Sequence, residues 1–226
     1  MPALANRGQL HQVSGRIQEA VTDLTGATQA ASRLGHHAAV RQWGEPALGL
    51  AYQVGDTARA ETLWHLLAET ARATGDDALL QKALGDGALL LINRSQSPTG
   101  DPAAVDRQLL AQAAAMLDEQ EAICRRTSDD VGLAACVGNR AIVLRYQGDL
   151  AGSLACLDEQ LEIATRCGNA QGALFATANR GEVLGLLGRV PEALEALGRA
   201  RATAASSGLA PLVQQLDAMI AALGGR

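Results

Sequence analysis

An interval of 40 residues governs this chain of 226. Displaced by 40, Leu117-Asp118-Glu119-Gln120 falls on Leu157-Asp158-Glu159-Gln160, Asn139-Arg140 on Asn179-Arg180, and Gly148-Asp149 on Gly188-Arg189. Leu144 falls on Leu184, Gly132 on Gly172 and Gly168 on Gly208. The N-terminal part carries the same interval, with Gly15 on Gly55 and Gly35 on Gly75. The run Gly15-Arg16-Ile17-Gln18-Glu19-Ala20 also matches Gly188-Arg189-Val190-Pro191-Glu192-Ala193 in pattern. Self-similarity at a fixed period restricts the fold to arrays in which each repeat is one supersecondary unit stacked on its neighbours.

Each unit divides into two helical halves. Glycines about 20 residues apart mark the joints: Gly15, Gly35, Gly55, Gly75, Gly148, Gly168, Gly188 and Gly208. Glycine is favoured just past a helix end because it adopts the left-handed conformation without steric cost. Asp56, Asp76, Asp149 and Asn169 follow such glycines and can cap the next helix. Between joints the apolar residues keep helical spacing, as in the stripe Ala193, Leu197, Ala200 and Ala204. The spacing predicts first-half helices near 3–13, 37–53, 77–93, 130–146 and 170–186. It predicts second-half helices near 17–34, 57–73, 102–127, 150–166 and 190–206, and a last helix over 210–223. The apolar Leu212, Leu216, Met219, Ile220 and Leu223 of that last helix would cap the array or pair with another chain as a homodimer. The chain starts on a first-half helix and ends on another, as a segment of a longer protein would.

The phase breaks once. Gly55 and Gly148 are 93 residues apart, two periods plus 13. The excess falls in an insertion near 95–107, over the turn-rich Ser95-Gln96-Ser97-Pro98-Thr99-Gly100-Asp101-Pro102. Asp101-Pro102 reads as an N-cap with proline in the first turn. The helix that follows is expected to run about two turns longer than its siblings, with the insertion either a tolerated surface loop or a lip over a binding surface.

Composition narrows the function. The chain has 19 basic and 24 acidic residues, a net charge of -5, and Lys82 as its only lysine. That balance argues against nucleic acid as the main partner, since phosphate neutralisation needs clustered cations. Aromatics are limited to Trp43, Trp64, Tyr52, Tyr146 and Phe175, fewer than sandwich and barrel folds use. No run of 18 apolar residues exists to cross a membrane. Cys124, Cys136, Cys156 and Cys167 form no CxxC pair and lie near no histidine at ligand spacing, so free structural thiols in a cytoplasmic location are expected. Abundant alanine and arginine with almost no lysine points to a high-GC, bacterial source.

These residues resemble the tetratricopeptide repeat. Its pattern has a small residue seven before the turn glycine, here Gly8, Ala141 and Gly181 but Leu48 in the second unit. An alanine stands five after that glycine, here Ala20, Ala60 and Ala193 but Ser153 in the fourth unit. A large residue stands nine after it: Leu24, Trp64, Leu157 and Leu197. The 40-residue spacing, and the stretch Val137-Gly138-Asn139 to Gly168-Asn169, are similar to the Leu-Gly-Asn subgroup. The resemblance covers essentially the whole chain. It implies an all-α, right-handed α-solenoid of antiparallel helix pairs, one repeat domain over 1–226 of about five pairs plus a C-terminal helix. It also implies a concave wall of first-half helices that binds a partner protein or peptide. Stacking explains such a fold physically, because a helix pair with one apolar stripe per helix cannot bury its faces alone.

No catalytic constellation emerges, and neither an enzyme nor a cofactor or metal is expected. His36-His37 is adjacent rather than spaced by four, a poor metal pair. Ser206-Ser207-Gly208 implies no His–Asp partner. The pairs Asn6-Arg7, Asn139-Arg140 and Asn179-Arg180 could form a ligand ladder or bind neighbouring helices. The asparagine ladder of peptide-binding family members would fall on Gln9, Gly49, Leu89, Ile142 and Glu182, so it is absent, as is the lysine-rich carboxylate clamp. The expected inner wall offers Gln42, Glu45, Tyr52, Gln53, Lys82, Asn93, Arg145, Tyr146, Phe175 and Glu182. Tyr and Arg combine contact area with directed hydrogen bonds and are enriched at binding hot spots. The function expected is a protein–protein interaction scaffold that holds a peptide or helix. The alternatives are a sensor or regulatory module of a larger bacterial signalling protein, and a self-associating structural protein.

Overall fold

A computed structural model describes residues 1–96 and 104–225. It is an all-α helical-repeat solenoid. The helices are α1 Pro2–Val13, α2 Ile17–Arg33, α3 His37–Gln53, α4 Thr57–Thr74, α5 Asp77–Ser95, α6 Arg107–Thr127, α7 Asp130–Gln147, α8 Leu150–Arg166, α9 Ala170–Leu186, α10 Val190–Ser206 and α11 Ala210–Gly224. Boundaries agree with the glycine-based reading to within about two residues, except at α6.

The joints have the chemistry the sequence implies. All eight joint glycines have positive φ, between 67° at Gly35 and 87° at Gly148. The residue after the glycine donates its N–H to the carbonyl five back, as Asp149 does to Leu144 at 2.9 Å and Asn169 to Ala164 at 2.8 Å. The side chains of Asp56, Asp76, Asp149 and Asn169 accept from the amides of Arg59, Leu79, Gly152 and Gly172 at 2.8–3.0 Å. A ninth left-handed joint, Ser128 with φ 57°, escaped the glycine pattern. Asp129 behind it caps α7 through the Gly132 amide at 2.9 Å.

The insertion is the one departure in the helix boundaries. α6 begins at Arg107, not at 102, and Asp106 is its N-cap, accepting from Gln108 and Leu109 at 2.9 and 3.1 Å. Asp101-Pro102, expected as the cap, lies outside the described residues. α6 has 21 residues against 17 or 18 in α2, α4, α8 and α10, so it is longer by about one turn rather than two. The competition is local: the Asp106 carboxylate satisfies two free amides of the first turn, and a helix takes its start from the cap that does so. The Asp106 N–H donates to the Ser95 carbonyl at 2.9 Å, so the ends of the inserted segment meet.

The chain divides into two compact units, Met1–Arg94 and Ser95–Arg226. In the first, α1 to α4 each pack on the next, and α2 also meets α4. In the second the same holds from α6 to α11, with α7 also meeting α9 and α9 meeting α11. Contacts to the next helix and the next but one are what stacked hairpins make.

Small-on-large packing closes the seams. A Cβ added to Gly8 would come 2.8 Å from Leu24 Cγ, and one added to Gly181 would come 2.6 Å from Leu197 Cγ. Ala141 and Leu157 share a buried cluster at the same spacing of 16. Ala20, Ala60 and Ala193 are fully buried, and so is Ser153, whose hydroxyl is satisfied by the Ala141 carbonyl at 2.8 Å. In α11, Leu212, Leu216, Val213, Met219, Ile220 and Leu223 pack against the cluster of Leu174, Leu197 and Ala204, so this helix caps the second unit.

Candidate functional site

In the first unit a cavity of about 190 Å³ opens between α3, α4 and α5. Helical spacing builds it. Glu45, Leu48, Gly49 and Tyr52 lie on one face of α3, Leu79, Lys82, Ala83 and Asp86 on one face of α5, and Leu67 comes from α4. Glu45 holds two cations: its Oε1 accepts from Arg41 Nε and its Oε2 from Lys82 Nζ, both at 3.0 Å. Arg41 also bridges to Asp76, the cap of α5. Tyr52 Oη donates to the Asp86 main-chain carbonyl at 2.8 Å. The floor, Leu48, Leu67, Leu79 and Ala83, is buried and apolar.

Asp86 is half-buried. Burial pushes its carboxyl up to about 6, with Lys82 opposing the shift and Glu45 adding to it. Burial raises the Tyr52 phenol as well, reinforced by Asp86. No hydrogen-bond donor to the Asp86 carboxylate is found among the described residues, whereas both Glu45 oxygens are occupied.

A second cavity of about 270 Å³ lies on the other flank of Tyr52, lined by Ala51, Gly55, Thr57, Leu90, Asn93 and Arg94. Arg94 pairs with Glu61 at 2.7 Å. Of the six first-unit residues expected on a binding wall, Glu45, Tyr52, Lys82 and Asn93 therefore line these cavities. Gln42 and Gln53 are exposed and line neither of the two.

In the second unit the expected residues form a different arrangement. Arg145 on α7 donates to Glu182 on α9 at 2.6 Å, and its guanidinium lies 4.6 Å from the centre of the Tyr146 ring. Phe175 on α9 is exposed at 41%. Residue by residue reading missed Asp86, which carries the unmet acceptor of the first cavity. Its place four after Lys82 and seven after Leu79 on one helix is the signal that would have found it.

The repeated motifs are structural. Arg140 binds Asp118 at 2.8 Å and Glu121 at 2.6 Å, and Arg180 binds Asp158 at 2.7 Å. Arg7 binds Asp23 at 2.5 and 2.6 Å and holds that carboxyl below the usual range. The Asn-Arg and Leu-Asp-Glu-Gln motifs recur at one interval because arginine and aspartate from them meet across neighbouring helices. Gln160 of the latter is buried and lies where a Cβ on Gly138 would have to be.

His36 and His37 are exposed at the start of α3. Cys124 and Cys136 are buried, with thiols pushed up to about 11 and 12 by burial. Among the described residues no group of three or more His, Cys, Asp or Glu is placed to hold a metal ion, and no helix is long and apolar enough to cross a membrane.

No curated protein matches the chain. Among solved structures, the crystal structure of BtubC (BKLC) from P. vanneervenii is similar in fold, with a TM-score of 0.62 at 15% identity, over 92% of this chain and 91% of that one. Residues 132–206, which span α7 to α10 of the second unit, match the family model of the tetratricopeptide repeat.

Proposed function

We propose that the chain is a protein-interaction module that holds a segment of a partner protein against the α3–α5 face of its first unit. Tetratricopeptide repeats generally mediate protein–protein interactions, and the match over 132–206 supports this class of function. The observation that carries the reading is the pair of cavities flanking Tyr52, where a tyrosine stands between two recesses on adjacent helices. An extended chain laid there would bury side chains on both sides of the ring, and the receptor would need little ordering to accept it. A repeat fold of this kind is typically a non-catalytic scaffold.

The test is a selection of random dodecapeptides on the immobilised chain, followed by affinity measurement on Tyr52→Ala and on an Arg145→Ala/Tyr146→Ala double variant. Circular dichroism first establishes that each variant is folded. Tyr52→Ala is expected to weaken selected peptides at least tenfold. Peptides that bind it as well as the original chain would remove the α3–α5 face from the reading, and loss only in the double variant would move the site to α7.

A further inference from the structure

We propose that the cavity between α3, α4 and α5 receives the side chain of an arginine or lysine carried by the partner polypeptide. The inference rests on the interaction reading above and names the chemistry of the group recognised. Three features converge. The floor of Leu48, Leu67, Leu79 and Ala83 suits the methylene stem of a long basic side chain. The volume, about 190 Å³, is that of a recess for one side chain rather than of a groove for a helix. The Asp86 carboxylate lines the cavity with no donor among the described residues, so the recess presents an open anionic acceptor.

The other guests fit less well. A carboxylate would face Asp86 directly, and Lys82, the one cation among the residues that line the cavity, is already held by Glu45 at 3.0 Å. An apolar side chain would cover Asp86 and leave a buried carboxylate unpaired, a costly arrangement. A guanidinium or ammonium supplies the missing donors and the missing charge in one step.

The charged and titratable groups around Asp86 are Lys82 on its own helix and Glu45 and Tyr52 on α3, while α4 contributes the uncharged Leu67. Binding of a cation is therefore expected to strengthen as Asp86 ionises. With its carboxyl at about 6, the acceptor is mostly neutral at pH 5.0 and mostly charged at pH 7.5.

The experiment is an NMR titration of the isotope-labelled chain with three probes: N-acetylarginine amide, its uncharged analogue N-acetylnorleucine amide, and N-acetylglutamate amide. The arginine probe is expected to shift the amides of Gly49, Tyr52, Ala83 and Asp86 with a dissociation constant on the order of 1 mM at pH 7.5. At pH 5.0 binding should be about tenfold weaker, in the unaltered protein and so independently of any effect on folding. Asp86→Asn should weaken it at least tenfold at pH 7.5, and Lys82→Gln, which removes the competing cation, should tighten it. Equal binding of the norleucine probe, preference for the glutamate probe, no shifts around the cavity, or full binding to a folded Asp86→Asn variant would each overturn the proposal.

The dodecapeptides selected above separate this failure from failure of the broader reading. Tight peptides that need Tyr52 but lose nothing when their Arg and Lys are replaced by norleucine would overturn the cation pocket and leave the interaction surface standing. Peptides whose basic residue matters only while Asp86 is present support both.

Discussion

Asp86→Asn is expected to stabilise the protein at neutral pH and to leave its stability unchanged in acid. The carboxyl of Asp86 is raised from an ordinary 3.8 to about 6 because folding withdraws it from water without giving it a donor. At about 1.4 kcal/mol per tenfold, that difference corresponds to about 3 kcal/mol of instability once the group is ionised. The cavity is open on one side, so solvent screens part of this, and about 2 kcal/mol is the expected gain. The direction follows from proton counting. Between pH 3.8 and about 6 the unfolded chain has released the Asp86 proton and the folded chain still holds it, so stability contributed by this group falls as pH rises through that window. Asparagine resembles the protonated acid and carries no such dependence. Carboxyls held low by arginine, Asp23 with Arg7 and Asp56 with Arg59, act oppositely, losing stability as pH falls, but they are common to both proteins. Urea unfolding followed by circular dichroism between pH 4 and pH 7.5 gives the difference at each pH. Curves that coincide near pH 4 and separate toward pH 7.5, with the variant ahead and the slope unchanged, are expected. A constant offset, or a less stable variant at pH 7.5, would mean that the ionised Asp86 makes favourable bonds, and would refute the unmet acceptor.

Ser128→Gly relieves a left-handed φ of 57° in a residue with a Cβ and should raise stability by about 1 kcal/mol, read as a higher urea midpoint. Gly138→Ala drives Gln160 from its place and should cost about 1–3 kcal/mol, much of it recovered in a Gly138→Ala/Gln160→Ala pair, because Ala178 and Ala200 stand at the matching positions and pack in one buried cluster. Timed thiol labelling at pH 8 should modify the half-buried Cys156 and Cys167 first and reach the buried Cys124 and Cys136 only as the chain unfolds.

What the sequence makes legible is what repeats. A joint needs a left-handed residue, and eight glycines announce that on a linear string, four of them with an Asp or Asn cap directly behind. Ser128 escaped because serine carries no such signature, although its place 20 residues before Gly148 is the joint-to-joint spacing itself, half a period. The start of α6 escaped for a related reason: Asp101-Pro102 and Asp106 are both credible caps, and only backbone geometry decides which one meets free amides. The candidate site is legible in part, since of the inner-wall residues expected in this unit Glu45, Tyr52, Lys82 and Asn93 line the two cavities and Gln42 and Gln53 do not. Asp86 is legible only in its place, four after Lys82 on the same face of α5, whereas its missing donor is a property of the surroundings that no spacing encodes.

The first cavity lies where the repeat departs from its own rule. In α1, α7 and α9 the residue seven before the turn glycine is small, and it sits on a leucine of the helix that follows: Gly8 against Leu24, Ala141 with Leu157, Gly181 against Leu197. In α3 that place holds Leu48, and the close approach is made one turn earlier by Gly44, whose added Cβ would come 3.0 Å from Leu67 and 3.2 Å from Thr28. Leu48 and Leu67 then become part of the floor of the recess, and Gly49 lines it without a side chain. Pro46, inside α3 and between Glu45 and Leu48, removes one helical hydrogen bond on the same segment. A repeat that gives up the small residue in one unit shifts its close approach to another turn of the helix, and the recess left at that seam is where Glu45, Tyr52, Lys82 and Asp86 converge.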